Sequence, residues 1–452
     1  MRNRLAALAA VAVVVGAVAV FTPAGTGAGG AAAVAWPDWP TYHGALNRSG
    51  VYSAMPATSG TPTIVKSVTL DAAVYASPLV VSHIVVVATE NDSVYGLTTT
   101  GTVLWHRTLG TPARSSQLPC GNIDPSGITG TPVYSSSTGL VYLVVEHGAP
   151  VRHAVAALDL HTGAVRWTRQ LSLPGTSQDA MQQRGALNLG DHRIWITFGG
   201  RAGDCGDYKG RLIGLPLSGQ GSAVGYTVPT TREAGMWTPP GPTVDVNRRV
   251  YAAVGNGASG VGDPYDHSDS VLEFDGNAHL ISSFSPSSWA SDNDADLDLG
   301  SQGPALVGNW VFQAGKSGTA YVLRRDALGG IGGQVSSTNA LNCHSFGGTA
   351  VKLNAVYVPC SDGVRKVLIS ASGTISSPWK AAASIAGSPV IGGGRIWTLD
   401  TGGGVLYGLN SANGLSLGSV SVGTTSRFAT PALYGNKVFI PTLSGLVIVA
   451  TS

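Results

Sequence analysis

One pattern recurs along this chain and limits what it can become: a small residue or proline, an apolar strand, a turn, then further apolar strands. It reads ASPLVVSHIVVVATENDSVYGL at 76–97, GTPVYSSSTGLVYLVVE at 130–146, GSPVIGGGRIWTLDTGGGVLYGL at 387–409 and ATPALYGNKVFIPTLSGLVIV at 429–449. The unit starts line up at Pro78, Pro132, Ala186, Pro242, Pro304, Thr349, Pro389 and Pro431, at intervals of about 40–60 residues. One twisted sheet of three or four short strands cannot bury both its faces. Neighbours packed radially cover them, so eight such units predict a single all-β, eight-bladed propeller.

The way the ring shuts can also be read. The last unit ends about one strand short, and TPTIVKSVTL (61–70) has no partner in its own unit. This early segment is expected to complete the last blade, so that N- and C-terminal strands close the ring and residues 36–452 make one domain. Composition agrees: 62 of 452 residues are glycine and only 12% are charged, against a usual quarter. That suits short strands joined by tight turns. A net charge of +2 gives no reason to expect a nucleic-acid partner or an anionic membrane surface.

Residues 1–35 read as an export signal. Arg2 and Arg4 form a basic start, Leu5 to Phe21 an apolar run, and small residues lead to Ala33-Val34-Ala35, a cleavage pattern. The run approaches spanning length, so an uncleaved anchor is the alternative; no later segment would span a membrane. The chain is therefore expected to be secreted or otherwise extracytoplasmic, and a monomer. Cys120, Cys205, Cys343 and Cys360 form an even set, which in an exported chain favours two disulfides. Sequence does not fix their pairing; nearness in the chain makes Cys343–Cys360 the first choice and leaves Cys120 with Cys205.

Several short motifs fail in context. Gly315-Lys316-Ser317 resembles the end of a phosphate-binding loop, but the required earlier glycine is Trp310. GNGASG (255–260) matches a dinucleotide fingerprint, yet a proline-bearing turn and a strand follow it where a helix must begin. GLSLG (414–418) occupies a blade-junction turn, not a nucleophile elbow. DNDADLD (292–298) offers alternating carboxylates, but an EF-hand would need glycine and glutamate where Leu297 and Gly303 stand. The ten histidines are scattered, and no cysteine lies in a CxxC or CxxCH motif.

ALDLHTGAVRW (157–167) holds a more specific pattern. Thr162-Gly163 makes a tight turn, Asp159 can accept from the turn N–H groups, and Trp167 can wedge against the next blade. This resembles the tryptophan-docking motif of the quinoprotein, or PQQ-like, propeller family. Its members include methanol and polyvinyl-alcohol dehydrogenases as well as non-catalytic outer-membrane assembly lipoproteins. The likeness extends over residues 36–452.

The resemblance implies a site at the mouth of the central channel. MWTPPGPTVD (236–245) and VYAAVGN (250–256) look like the family's tryptophan-bearing blade start and its Gly-Asn, which would make Trp237 the floor beneath a quinone and Asn256 a calcium ligand. DLDLGSQGPAL (296–306) is similar to its Asp-rich strand start, pointing to Asp298 as base with Asp296 the competitor. KSGTAYVLRRD (316–326) resembles the stretch whose lysine contacts the quinone oxygens, here Lys316, and Asp204 maps loosely to the acidic calcium ligand. Pyrroloquinoline quinone and Ca²⁺ are the cofactors so implied. Against activity stand the missing adjacent-cysteine pair, the absence of a haem motif and the decayed docking motifs. The preferred reading is a non-catalytic scaffold that binds protein or glycan partners. The alternative is a Ca²⁺/quinone-dependent alcohol or sugar dehydrogenase.

Overall fold

A computed structural model describes residues 36–382 and 386–451; the expected leader lies outside the described residues. Eight sheets of four or five strands follow one another along the chain as the eight blades of a propeller. Every unit start read from the sequence precedes an inner strand: Pro78 before Leu79–Val81, Pro132 before Val133–Ser135, and so on to Pro431 before Ala432–Tyr434. Apart from the six-residue helix Trp289–Asp294 and three single 3-10 turns, the described residues form strands, turns and loops.

Blade one shows why the sequence takes this form. Its strands are Leu79–Val81, Ile84–Ala88, Ser93–Thr98 and Val103–Thr108, counted from the axis outward. The second is buried at every residue, because a neighbouring blade covers each of its faces. The outermost exposes every residue except Trp105. Continuous apolar runs therefore mark inner strands and broken ones mark the rim.

Ring closure is as expected. Thr63–Thr69 pairs antiparallel with Gly445–Ala450, Thr69 opposite Gly445 and Thr63 opposite Ala450, so the last blade holds strands from both ends. The docking motif also works as read. Asp159 Oδ1 accepts the Thr162 N–H at 3.0 Å, and Trp167 packs on Gly219 of the next blade. Trp105 lies against Gly163 and donates its indole N–H to Leu160 O at 3.0 Å. Trp379 repeats the contact on Gly414.

The segment before the closing strand does something the sequence did not announce. Residues 39–50 cross one end of the channel and bond to inner-strand backbone around the ring. Trp39 N–H donates to Val80 O, and the Pro40, Leu46, Ser49 and Gly50 carbonyls accept from Tyr134, Val244, Val351 and Ile391. Val51–Tyr52 then joins blade seven as an extra innermost strand, parallel to Val390–Gly392. The disulfides are Cys120–Cys205 and Cys343–Cys360, the pairs expected.

Candidate functional site

Strands within a blade run antiparallel, so two sets of loops emerge at one end of every blade: the linkers between blades and the loops between second and third strands. All six residues singled out from sequence lie in these loops. Asp204 is between Arg193–Gly200 and Arg211–Pro216, and Trp237 precedes Thr243–Val244. Asn256 follows Val250–Val254, Asp296 and Asp298 precede Ala305–Val307, and Lys316 joins Trp310–Ala314 to Ala320–Arg324.

Five of them meet. The Asp298 side chain is 3% exposed; its Oδ1 accepts the Asn256 backbone N–H at 2.7 Å, and its Oδ2 lies 2.5 Å from Lys316 Nζ. Lys316 also donates to Asp296 Oδ1 at 2.7 Å, and its backbone N–H bonds to Asp298 O at 2.9 Å. Gly255 lies beneath: a Cβ there would strike the Asp298 carboxylate and sit 3.0 Å from Trp237 Nε1, so only glycine lets the two approach. Asn256 enters through its backbone. The Asp-rich stretch does not start a strand directly; Asp292–Asp294 end the short helix, and a 3-10 turn, Leu299–Ser301, follows Asp298.

Asp204 stands apart from this cluster, exposed, with its carboxylate accepting the Tyr208 hydroxyl at 2.5 Å. Two acids that sequence reasoning missed adjoin the cluster. Glu233, paired with Arg232, has its pKa raised by burial, Arg232 opposing and Asp204 and Asp298 reinforcing the rise. Asp269 is fully buried; Oδ1 accepts the Leu299 N–H at 2.8 Å and Oδ2 has no partner. Burial first, then the Asp298 charge, holds Asp269 well above the usual carboxylate range. Burial also raises Asp298, with Lys316 acting in the opposite sense. For Lys316, burial weakens the ammonium but Asp298 and Asp296 outweigh it, so its pKa rises and it stays charged.

A second group occupies the axis. The Trp237 and Phe428 ring centroids are 6.0 Å apart, as are those of Phe346 and Phe428. Arg427 Cζ lies 4.0 Å over the Phe346 ring, and Arg184 Cζ 5.2 Å from that of Phe428. Beneath them is a narrow cavity lined in part by Tyr75, Thr129, Pro239, Arg184 and Ser426. A signal exists for part of this group. Tyr75, Thr129, Pro239 and Phe428 each stand three residues before a unit start and line the cavity, and Phe346 stands at the same offset.

The comparisons agree with this architecture. The sequence profile described as "Outer membrane protein assembly factor BamB" matches residues 40–200. Among solved structures, a europium-containing methanol dehydrogenase superposes with a TM-score of 0.69 at 12% identity, over 92% of this chain and 98% of that one. BamB from Moraxella catarrhalis gives 0.58 at 17% identity, over 87% and 98%. The computationally designed Ika8 protein gives 0.56 at 14% identity, over 87% and 100%. No curated protein matches in sequence. The chain has the eight-bladed fold of PQQ-type propellers, and residues 40–200 carry the likeness in sequence.

The resemblance to quinoprotein dehydrogenases would call for a quinone and a metal ion, and the residues present do not fit a hard cation. Calcium takes six to eight oxygens. Among the described residues, the one group of three acidic, histidine or cysteine ligand atoms within 4.8 Å of one another is Cys343, Cys360 and Asp362, whose sulfurs are in a disulfide. Asp298 already receives donors on both oxygens, and Lys316 is engaged by two carboxylates.

Proposed function

We propose that this chain is an exported, non-catalytic PQQ-like propeller that binds a partner protein on its loop face, with residues 1–35 removed as a leader. One observation carries the reading. The pieces that resemble a dehydrogenase site are engaged with one another: Lys316 is clamped between Asp298 and Asp296. Trp237, the residue that the resemblance assigns to the quinone floor, meets the Phe428 ring instead. Export is supported by two disulfides, which persist in oxidising compartments. A protein partner is supported by the match of residues 40–200 to a sequence profile described for an outer-membrane protein assembly factor, and by a likeness of fold to a BamB structure. Among the described residues no helix is long and apolar enough to cross a membrane.

Two measurements test this. Residues 36–452 are titrated with pyrroloquinoline quinone and Ca²⁺ while quinone absorbance and dye reduction with alcohols are followed. Silence at micromolar concentrations is expected, and bound quinone with turnover would sink the reading. Photo-crosslinkers at His344 on the loop face and at Leu353, in an inner hairpin of the opposite face, are then compared in the exporting cell. Discrete protein adducts are expected from His344 alone.

A further inference from the structure

Two arginines at the axis have no carboxylate counter-charge among the described residues: Arg184, which is half-buried, and Arg427, which is exposed. Arg184 makes one long hydrogen bond, 3.4 Å to Gln182 Oε1, and Arg427 makes none with the described residues. Neither has a described carboxylate within ion-pair reach; the Phe428 ring centroid is 5.2 Å from Arg184 Cζ and 6.0 Å from Arg427 Cζ. A guanidinium over a ring keeps its N–H donors in its own plane, so the rings fix these groups without satisfying them. The loop that delivers Arg427 also presents Thr425 and Ser426, only 5% and 6% exposed, whose hydroxyls have no partner. Ser426 lines the axial cavity with Arg184. The acid whose charge acts on Arg184 is Glu90, buried, with Oε1 unpartnered. Burial raises its pKa to about 8, so beside the cavity-lining Thr129 it is largely a neutral carboxyl at pH 7.

We infer that the axis of the loop face is an oxyanion receptor, in which Arg184 and Arg427 hold a carboxylate or phosphate group, Ser426 adds a donor, and Phe346 and Phe428 cover the body that carries it. The two charges, the unpaired hydroxyl and the apolar walls converge there, and bidentate guanidinium contact is the chemistry that distinguishes an oxyanion from a neutral sugar. The site stands whether or not a protein also docks on this face.

The experiment is titration calorimetry of residues 36–452 in chloride-free buffer at low ionic strength. Acetate and glucuronate serve as carboxylate probes, inorganic phosphate and phenyl phosphate as phosphate probes, and glucose as the neutral control. One probe class should saturate a single site, and which class does so assigns the source of the oxyanion. Arg184→Gln and Arg427→Gln should each weaken it roughly tenfold, and Arg166→Gln, on an exposed outer strand, should not. Arg427 is exposed, so Arg427→Gln serves even if Arg184→Gln does not fold. No saturable binding by any probe, or binding undiminished in Arg427→Gln, overturns the inference.

Discussion

Lys316 Nζ lies 2.5 Å from Asp298 Oδ2 and 2.7 Å from Asp296 Oδ1, tying a blade-five turn to the linker that enters the same blade. The lysine is 18% exposed and Asp298 3%, so solvent screens the pair poorly. Removing one partner leaves a buried charge that has lost its compensation. Lys316→Met is expected to cost about 2–4 kcal/mol, toward the lower part of the range for buried pairs because the lysine is partly wet. Asp298→Asn, which keeps an acceptor for the Asn256 N–H, should cost less. Without Lys316 the Asp298 pKa rises further above its unfolded value, so the Lys316→Met protein should lose additional stability as pH increases. Urea unfolding of both variants at pH 5 and pH 8 checks this; a Lys316→Met protein as stable as its parent would show the pair to be ornamental.

Stability should fall between pH 6.5 and 8, and Glu90 is the reason. Its Oε2 accepts from Gly127 N–H at 2.8 Å and Thr129 Oγ1 at 3.1 Å, but burial dominates and lifts the pKa to about 8. The folded state thus holds a proton that the unfolded state has released, and such a state weakens as pH rises through the window. Asp269, also raised by burial, acts in the same sense. His43 acts the other way. Burial lowers it to about 3, so its effect lies below the unfolded histidine pKa and leaves the upper window clear. The expected slope for one group approaches about 1.4 kcal/mol per pH unit. Glu90→Gln should flatten it and raise stability at pH 8; thermal melts across the window give the answer.

Blade-to-blade adhesion should fail at Gly163. This residue has φ +65°, and the Trp105 ring of blade one covers the place where a Cβ would stand. Alanine would meet both backbone strain and a clash with a ring whose N–H is committed to Leu160 O. A loss of about 2–3 kcal/mol is expected for Gly163→Ala. Gly139→Ala, at φ +71° with open space around it, should lose only the strain. Chemical denaturation of the two variants separates packing from backbone.

The contrast between Trp105 and Phe428 explains what could be read from sequence. Trp105 and Trp167 belong to a local code, a turn and a ring in a fixed order, and the code repeats. Blade number, strand order and the closing strand 63–69 follow from repetition and from an unpaired strand at each end, whereas the disulfide pairing rested only on the nearness of Cys343 to Cys360 in the chain. Asp298, Lys316 and Asn256 were legible as positions because the stretches that hold them resemble the quinoprotein pattern, and each does lie in a loop on one face. What they do there was not, since a lysine aimed at a ligand and one clamped by Asp298 and Asp296 have the same neighbours in sequence. Arg184, Phe346 and Arg427 come from three different linkers, and only closing the ring brings them to one axis.

The segment 39–50 was opaque for a related reason, and Arg48 is where to test it. This side chain is 4% exposed and donates to Thr41 Oγ1 at 2.6 Å, Tyr42 O at 3.1 Å and Leu187 O at 2.9 Å. Burial lowers its pKa to about 9, and carbonyl and hydroxyl oxygens supply its compensation. Arg48→Leu strands those buried acceptors and should cost about 3 kcal/mol or more. Arg48→Lys keeps a charge without the fork and should fall between leucine and the parent. Hydrogen exchange distinguishes release of the segment from general weakening. The amides of Tyr134, Val244, Val351 and Ile391 bond to Pro40, Leu46, Ser49 and Gly50, and they lie in four different blades. In Arg48→Leu they should lose protection together, while the closing-strand amides of 63–69 keep theirs. Uniform loss across all blades would instead mean that the segment does not act as a unit.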